Sequence, residues 1–341
     1  MTKINVGLLG FGLAGAVFHA PLILSCPDMR LRAIGSRTFT GKTAPDGVRT
    51  AAIDEVIGDP DIDLIVVATP NASHAALAAA ALEAGKHVVV DKPVAIRLSD
   101  AERLIDIASR NGRMLSAFQN RRWDSGFQTA RNVLSEGVLG EISYAEFHFD
   151  RFRPEVKSRW REDRVPGGGL LYDLGPHLID QAYCLFGAPD SVFADVAAQR
   201  QGARAVDYFH VVLTYDRRRV ILHATSLATS FAPEIALYGD RGDFRYFGLD
   251  SQEEALRGGV RPGDADWGDA SGAHATLRLH GGEERPVEPL RGAYETYYSG
   301  VAKAILTGAA PPVTDADIRS TMAILDAAFR SGGEKRAIAL F

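Results

Sequence analysis

Ile4-Asn-Val-Gly-Leu-Leu9 followed by Gly10-Phe-Gly-Leu-Ala-Gly15 is the stretch on which the fold turns. The first six residues are a short apolar run, the kind that is buried on both faces of a parallel sheet. Directly behind it, Gly10, Gly12 and Gly15 take the G-x-G-x-x-G spacing. In a dinucleotide fold the first glycine permits a tight strand-to-helix turn. The second lets the backbone approach a pyrophosphate, and the third lets helix and strand pack closely. The helix start then offers N–H groups and a partial positive charge to phosphates. A Gly-rich turn alone also arises by chance; its position straight after an N-terminal strand gives it weight.

Outward from that turn the chain alternates. Leu31 to Ile34 read as a second strand, Asp63 to Thr69 as a third, His87 to Val90 as a fourth and Met114 to Phe118 as a fifth. Helices are expected over about 73–84, closed by Gly85, and about 99–111, closed by Gly112. Such alternation means a doubly wound parallel sheet, whose ligands gather at the carboxyl ends of the strands. Candidate cofactor-binding residues at those ends are Gly10, Phe11, Gly12, Leu13, Ala14, Gly15, Ser36, Arg37, Thr69, Pro70, Asn71, Asp91, Lys92 and Asn120, with His74 close behind.

Two of these positions speak to specificity and chemistry. A fold that binds NAD usually places a carboxylate after the second strand, on the ribose 2′-hydroxyl. Here Gly35-Ser36-Arg37 stands there. An arginine pairs with a 2′-phosphate and stacks on adenine, so the expected cofactor is NADP(H) rather than NAD(H); otherwise Arg37 is a solvated loop charge. Lys92 follows a buried strand and precedes Pro93. An X-Pro bond confines the preceding residue, which favours a fixed side-chain direction over an ordinary surface lysine.

After Trp123 the pattern changes. A helix is expected over 125–137, followed by strands in which apolar and polar residues alternate. In Ser143 to Asp150, Ala145, Phe147 and Phe149 share one face, while Tyr144, Glu146, His148 and Asp150 share the other. Similar alternation recurs over 192–198, 208–215, 220–227, 235–246 and 275–280, with helices at about 291–307 and 315–331 and a long loop at 249–272. Consecutive strands with short turns imply an antiparallel sheet covered on one face. The expected fold is α/β: a Rossmann domain over 1–123, then an α+β domain over 124–341.

The second chemical cluster is Gly167-Gly-Gly-Leu-Leu-Tyr-Asp-Leu-Gly-Pro-His177. Helical periodicity from Leu170 to Phe186 puts Asp173 and His177 four residues apart on one face. A carboxylate beside an imidazole favours its protonated form and suits it to proton transfer near neutral pH. A surface Asp–His pair or a satisfied core histidine fits the periodicity equally. Pro176 removes a helical N–H and is expected to kink that turn. Residues 151–162, with Arg153 and Trp160, form either a cap over a polar pocket or a solvated loop laced with ion pairs.

Composition narrows the class. The 341 residues carry 38 Lys+Arg against 43 Asp+Glu, a formal net charge of −5, which argues against a nucleic-acid binder. Only two cysteines occur, Cys26 and Cys184, with neither C-x-x-C nor metal-ligand spacing, so no metal is expected and a reducing cytoplasm is the default. Residues 4–27 lack any charged side chain, long enough to span a bilayer. Four glycines, two prolines, Asn5 and His19 inside that run argue for a soluble chain instead.

Taken together, Gly10–Gly15, Asp91-Lys92-Pro93 and residues 167–177 resemble the Gfo/Idh/MocA family of oxidoreductases over essentially the whole chain. Asn120-Arg-Arg-Trp-Asp124, Arg153-Pro-Glu-Val156, Arg159-Trp-Arg-Glu162 and Val206-Asp-Tyr-Phe-His210 look like the branch of NADP-dependent scyllo-inositol dehydrogenases. The resemblance implies a catalytic set of Lys92, Asp173 and His177, and a substrate site that adds Arg122, Arg153 and Trp160. The family usually has Glu where Asp91 stands. It also implies an open, mainly antiparallel second sheet that builds homodimers or homotetramers. The implied activity is EC 1.1.1-type hydride transfer between NADP(H) and a secondary alcohol or ketone of a cyclic polyol or sugar, scyllo-inositol first. The alternatives are another sugar or carbonyl substrate, or a non-catalytic NADP-bound sugar sensor.

Overall fold

A computed structural model describes residues 3–36 and 43–340. By contact they form two units. The first holds the chain to Trp123 together with Gln252–Gly268 and Ala293–Arg319; the second holds Asp124–Ser251, Asp269–Gly292 and the residues from Ser320. The division at Trp123 is where the change of sequence pattern lies, but the expected second domain is interrupted twice by stretches that pack in the first unit.

The first unit is built on six parallel strands: β1 (Ile4–Leu9), β2 (Met29–Gly35), β3 (Arg49–Ala51), β4 (Leu64–Val67), β5 (His87–Val90) and β6 (Leu115–Ala117), in the order β3-β2-β1-β4-β5-β6. Every residue of β4 is buried, as a central strand covered on both faces requires. The order reverses beside β1, which makes the β1/β4 edge the topological switch point where such sheets take their ligands. After β1 the chain winds through a π-type stretch (Ala14–His19) into α1 (Ala20–Ser25); α2 (Ile53–Gly58), α3 (His74–Glu83) and α4 (Leu98–Arg110) follow. Helix α4 buries Ala101, Leu104, Ile105 and Ala108, the i, i+3, i+4 stripe of an amphipathic helix, and ends before Gly112 at φ 60°.

The second unit begins with α5 (Ser125–Ser135), β7 (Ile142–His148), α6 (Leu170–Phe186), β8 (Ser191–Ala197), β9 (Tyr208–Thr214), β10 (Arg219–Thr225), β11 (Ile235–Gly239) and β12 (Gly242–Phe247). Next in the chain is α7 (Gln252–Gly258), in the first unit. Then come β13 (His274–Leu279), β14 (Glu284–Val287), α8 (Glu295–Thr307, first unit), α9 (Asp315–Glu334, in the first unit as far as Arg319) and β15 (Ile338–Ala339). Nine strands make one sheet, β14-β13-β12-β11-β7-β10-β9-β8-β15, mostly antiparallel, with β7 and β10 paired parallel. Alternation does what the sequence leads one to expect: along β9 buried Phe209, Val211 and Leu213 interleave with half-buried Tyr208, His210, Val212 and Thr214. Helix α6 packs on β7, β9 and β10, and α5 on β11 and β12.

The stretch 249–272 is not simply a loop. Gln252 is fully buried, accepting from Tyr294 N at 2.7 Å and donating Nε2–H to the Trp123 carbonyl at 3.1 Å. Trp267, 6% exposed, donates its indole N–H to Glu295 at 2.7 Å. A seven-residue helix is too short to show a periodic stripe, so composition rich in Gly, Asp and Arg concealed it.

Candidate active site

The three glycines of the turn differ in what a side chain would meet. Gly10 sits at φ 93°, and a Cβ there would lie 2.6 Å from the Ala68 carbonyl oxygen. A Cβ on Gly15 would lie 2.1 Å from the Gly10 carbonyl oxygen, so this glycine is what lets the wound segment close on β1. A Cβ on Gly12 would meet nothing within 4 Å. Packing within the chain does not demand that glycine. Phe11 is buried at 4% exposure, so its side chain serves the core and only its backbone faces the turn, whereas Leu13 is 43% exposed. Gly10 N donates to the Gly35 carbonyl at 2.8 Å, which brings the end of β2 and Ser36 to the turn. Arg37 lies outside the described residues.

The ends of β4 and β5 are joined by His74. Its ring nitrogens lie 2.7 Å from the Thr69 carbonyl and 2.8 Å from the Pro93 carbonyl. Both are therefore engaged by main chain, and His74 braces two strand-end turns rather than offering a free nitrogen to a cofactor. Between those turns, Ser73 donates to Thr69 Oγ1 at 2.7 Å, and Asn71 is buried. The Lys92–Pro93 bond is cis, and the Lys92 N–H donates to Asp91 Oδ1 at 2.8 Å.

Asn120 is buried in the single turn after β6. Arg122, expected at a substrate, is committed elsewhere: it donates to the Pro312 carbonyl at 2.9 Å and lies 3.4 Å from Asp317. It fastens the returning 293–319 stretch to the sheet end. Spacing alone could not show this, because the partners lie far along the chain.

In the second unit, glycines place the start of α6. Gly169, at φ 90°, donates its N–H to the Arg161 carbonyl at 2.8 Å, and Leu170 N donates to the Val206 carbonyl at 2.7 Å. A Cβ on Gly168 would lie 2.5 Å from the Asp163 carbonyl oxygen. The triple glycine thus lets two loops close on the helix start. Helix α6 runs through Pro176 as one element over all of Leu170–Phe186. Asp173 lies in its first turn and pairs with Arg161, Nε to Oδ1 3.6 Å; His177, one turn on, is buried at 6% exposure.

Beside Asp173 is a cavity walled by arginines. Arg151, Arg153, Arg159, Arg161 and Arg200 line it together with Glu162, Asp173 and Asp207. Its floor is a buried ion network that the sequence reading missed. Arg200 donates Nε–H to Asp207 at 2.8 Å and Nη2–H to Glu162 at 2.5 Å, and its Nη1 reaches the Arg153 and Glu155 carbonyls at 3.2 and 3.1 Å. Asp207 also accepts from the backbone N–H groups of Gln199 and Arg200. Segment 151–162 therefore combines both readings offered for it, since it lines a pocket and is laced with ion pairs. Trp160 is half-buried under the Arg161 guanidinium, 4.6 Å from ring centre to Cζ. No helix among the described residues is long and apolar enough to cross a membrane.

Comparison with known proteins agrees with this geometry. Residues 4–119 match the oxidoreductase family described as an NAD-binding Rossmann fold, and residues 131–340 its C-terminal alpha/beta domain. The chain is 46% identical to the uncharacterized oxidoreductase YdgJ of Escherichia coli, covering 99% of each. It is 40% identical to IolW of Bacillus subtilis, a scyllo-inositol 2-dehydrogenase (NADP(+)), covering 99% of this chain and 96% of that one. Among solved structures, the oxidoreductase YvaA of Bacillus subtilis superposes with a TM-score of 0.95 at 38% identity, covering 100% and 99% of the two chains. An oxidoreductase of Yersinia pestis superposes at 0.92 with 43% identity, covering 100% and 98%. The chain belongs to the Gfo/Idh/MocA family of oxidoreductases and carries its NAD(P)-binding Rossmann unit.

Proposed function

We propose that the chain is an NADP(H)-dependent dehydrogenase of a ring secondary alcohol, with scyllo-inositol as substrate. The observation that carries this reading is the nearly full-length similarity to the Bacillus subtilis scyllo-inositol 2-dehydrogenase (NADP(+)). The open space at Gly12 fits a dinucleotide, because a side chain there would occupy the approach while disturbing nothing in the protein. Gly10 to Gly15 would hold the pyrophosphate, Ser36 and Arg37 the 2′-phosphate end, and Thr69 to Asn71, Asp91, Lys92 and Asn120 the remainder.

When bound, the nicotinamide supplies the hydride acceptor for alcohol oxidation, or the donor for the reverse reaction. His177 takes the hydroxyl proton as general base; its burial keeps the imidazole out of competing hydration. Lys92 donates a hydrogen bond to the reacting oxygen and stabilises its developing negative charge. Asp173, steadied by Arg161, orients the imidazole or holds a neighbouring hydroxyl. The same reading has the enzyme working in the cytoplasm as a homodimer or homotetramer.

A second reading has support in the cavity beside Asp173, where five arginines face three carboxylates. That surplus of positive charge favours a sugar acid over a neutral polyol. Initial rates of nicotinamide absorbance change separate the readings, with NADP⁺ and NAD⁺ tested singly against inositol isomers, aldoses and aldonates. The expected result is scyllo-inositol with NADP⁺, at least about tenfold above other pairs in kcat/KM, a margin of 1.4 kcal/mol. Preference for an aldonate selects the second reading. Tight NADPH binding without turnover of any of them points to a sensor.

A further inference from the structure

On the face of the second sheet turned away from α6, Tyr144, Glu146, His148 and Asp150 project in a row from β7 and its extension. His148 is the register partner of His223 across the parallel β7–β10 pair, and His223 is the partner of His210 across β9–β10. The rings of His148 and His223 lie 5.2 Å apart, centre to centre. Asp150 reaches both histidines, Oδ2 lying 3.4 Å from His148 Nδ1 and Oδ1 3.5 Å from His223 Nε2.

Those separations are the argument. A tetrahedral ion with nitrogen and oxygen ligands at about 2.1 Å sets its ligand atoms about 3.4 Å apart. One ligand atom from each of His148, Asp150 and His223 lies within 4.8 Å of the other two. The other nitrogen of His148, Nε2, lies 3.1 Å from Glu146 Oε2, and Tyr144 donates its hydroxyl to the second oxygen of the same carboxylate. In the tautomer that donates Nε2–H to Glu146, the Nδ1 lone pair faces Asp150, and two acceptors so placed require a cation or a proton between them. A carboxylate behind a ligating imidazole is the usual outer support of a metal site. Asp150 is held in turn by the Thr225 N–H at 3.2 Å.

We propose that His148, Asp150 and His223 form a binding site for one divalent transition-metal ion of the zinc class, clamping β7 to β10. Two imidazoles and one carboxylate suit zinc, cobalt or nickel and disfavour magnesium and calcium, which take oxygen cages. Three protein ligands, none of them fully buried, leave the fourth position to water. The site takes no part in the reaction proposed above. Ligand spacing could not disclose it, since its members come from two strands 70 residues apart in order of magnitude, roughly the length of a small domain.

The test uses the whole chain, stripped with a chelator and dialysed against zinc or cobalt. Elemental analysis is expected to find about one zinc per chain with a dissociation constant near a micromolar or tighter. Cobalt is expected to give the intense visible absorption of a tetrahedral ion. His223→Gln and Asp150→Asn each lose at least about tenfold in affinity, Glu146→Gln loses less, and the exposed His280→Gln loses nothing. Far-ultraviolet circular dichroism and NADPH binding serve as folding controls. A wild-type chain that retains no zinc, or a six-coordinate cobalt spectrum, overturns the proposal and leaves a proton on His148 as the bridge. Undiminished binding in both ligand variants overturns it by assigning the metal elsewhere.

Discussion

His19 Nδ1 and the Tyr298 hydroxyl share a hydrogen bond of 2.6 Å with both side chains fully buried, which ties the segment behind the glycine turn to α8. His19 Nε2 has no hydrogen-bond partner among the described residues. Burial lowers the pKa of His19 to about 4, outweighing the attraction of Asp91, with His74 adding to the depression.

A pH dependence follows from that depression. The unfolded chain takes up the proton near pH 6.5 and the folded chain only near pH 4, so between them the unfolded state binds more protons. Stability contributed by neutral His19 is complete above pH 6.5 and is lost as pH falls toward 4, amounting to about 3 kcal/mol. Urea unfolding at a series of pH values measures it. His19→Gln keeps a polar partner for Tyr298 and is expected to flatten the acid limb; an unchanged slope would refute the assignment.

The glycines of the turn should separate folding from binding. Gly15→Ala places a methyl against the Gly10 carbonyl and is expected to cost about 3 kcal/mol of stability. Gly12→Ala meets open space, so the melting temperature without cofactor stays near wild type while NADPH affinity falls at least about tenfold, as fluorescence titration would read it.

Arg200 is 4% exposed and Asp207 2%, so their ion pair cannot be replaced by water. Arg200→Ala leaves Asp207 and Glu162 without their shared cation and is expected to destabilise the chain by about 3–5 kcal/mol. Denaturant unfolding checks this, and a loss below about 1 kcal/mol, the level of a surface pair, would contradict it.

Arg122 distinguishes a brace from a substrate contact. Arg122→Met removes its bonds to the Pro312 carbonyl and Asp317 and is expected to lower stability by about 1–3 kcal/mol. Its KM for the polyol should stay within about twofold of wild type, well under the tenfold that 1.4 kcal/mol of lost binding gives. A large rise in KM with unchanged melting would restore the substrate role.

What the sequence disclosed and what it withheld divide along physical lines. Gly10, Gly12 and Gly15 were legible because strand, turn and helix are consecutive in the chain. The alternation along β7 and β9 was legible because one face is covered and the other is not. Local order also placed Asp173 and His177 on one helix. Partnerships between distant residues were hidden: Arg200 with Glu162, Arg122 with Pro312, and His148 with His223 depend on register and return paths that no short window contains. Residues 252–268 were misread for a related reason, because Gln252 and Trp267 are buried by partners elsewhere in the chain.

The central claim is that Lys92 and His177 perform the chemistry, while the glycine turn and the other strand-end residues supply most of the NADP(H) binding. Lys92→Met and His177→Ala should each bind NADPH within about threefold of wild type, measured by fluorescence, a loss below 1 kcal/mol. Each should reduce NADP⁺ with scyllo-inositol at least about a hundredfold more slowly in kcat, the usual scale for removing a general base or an oxyanion donor. Turnover near wild type in either variant would contradict the account.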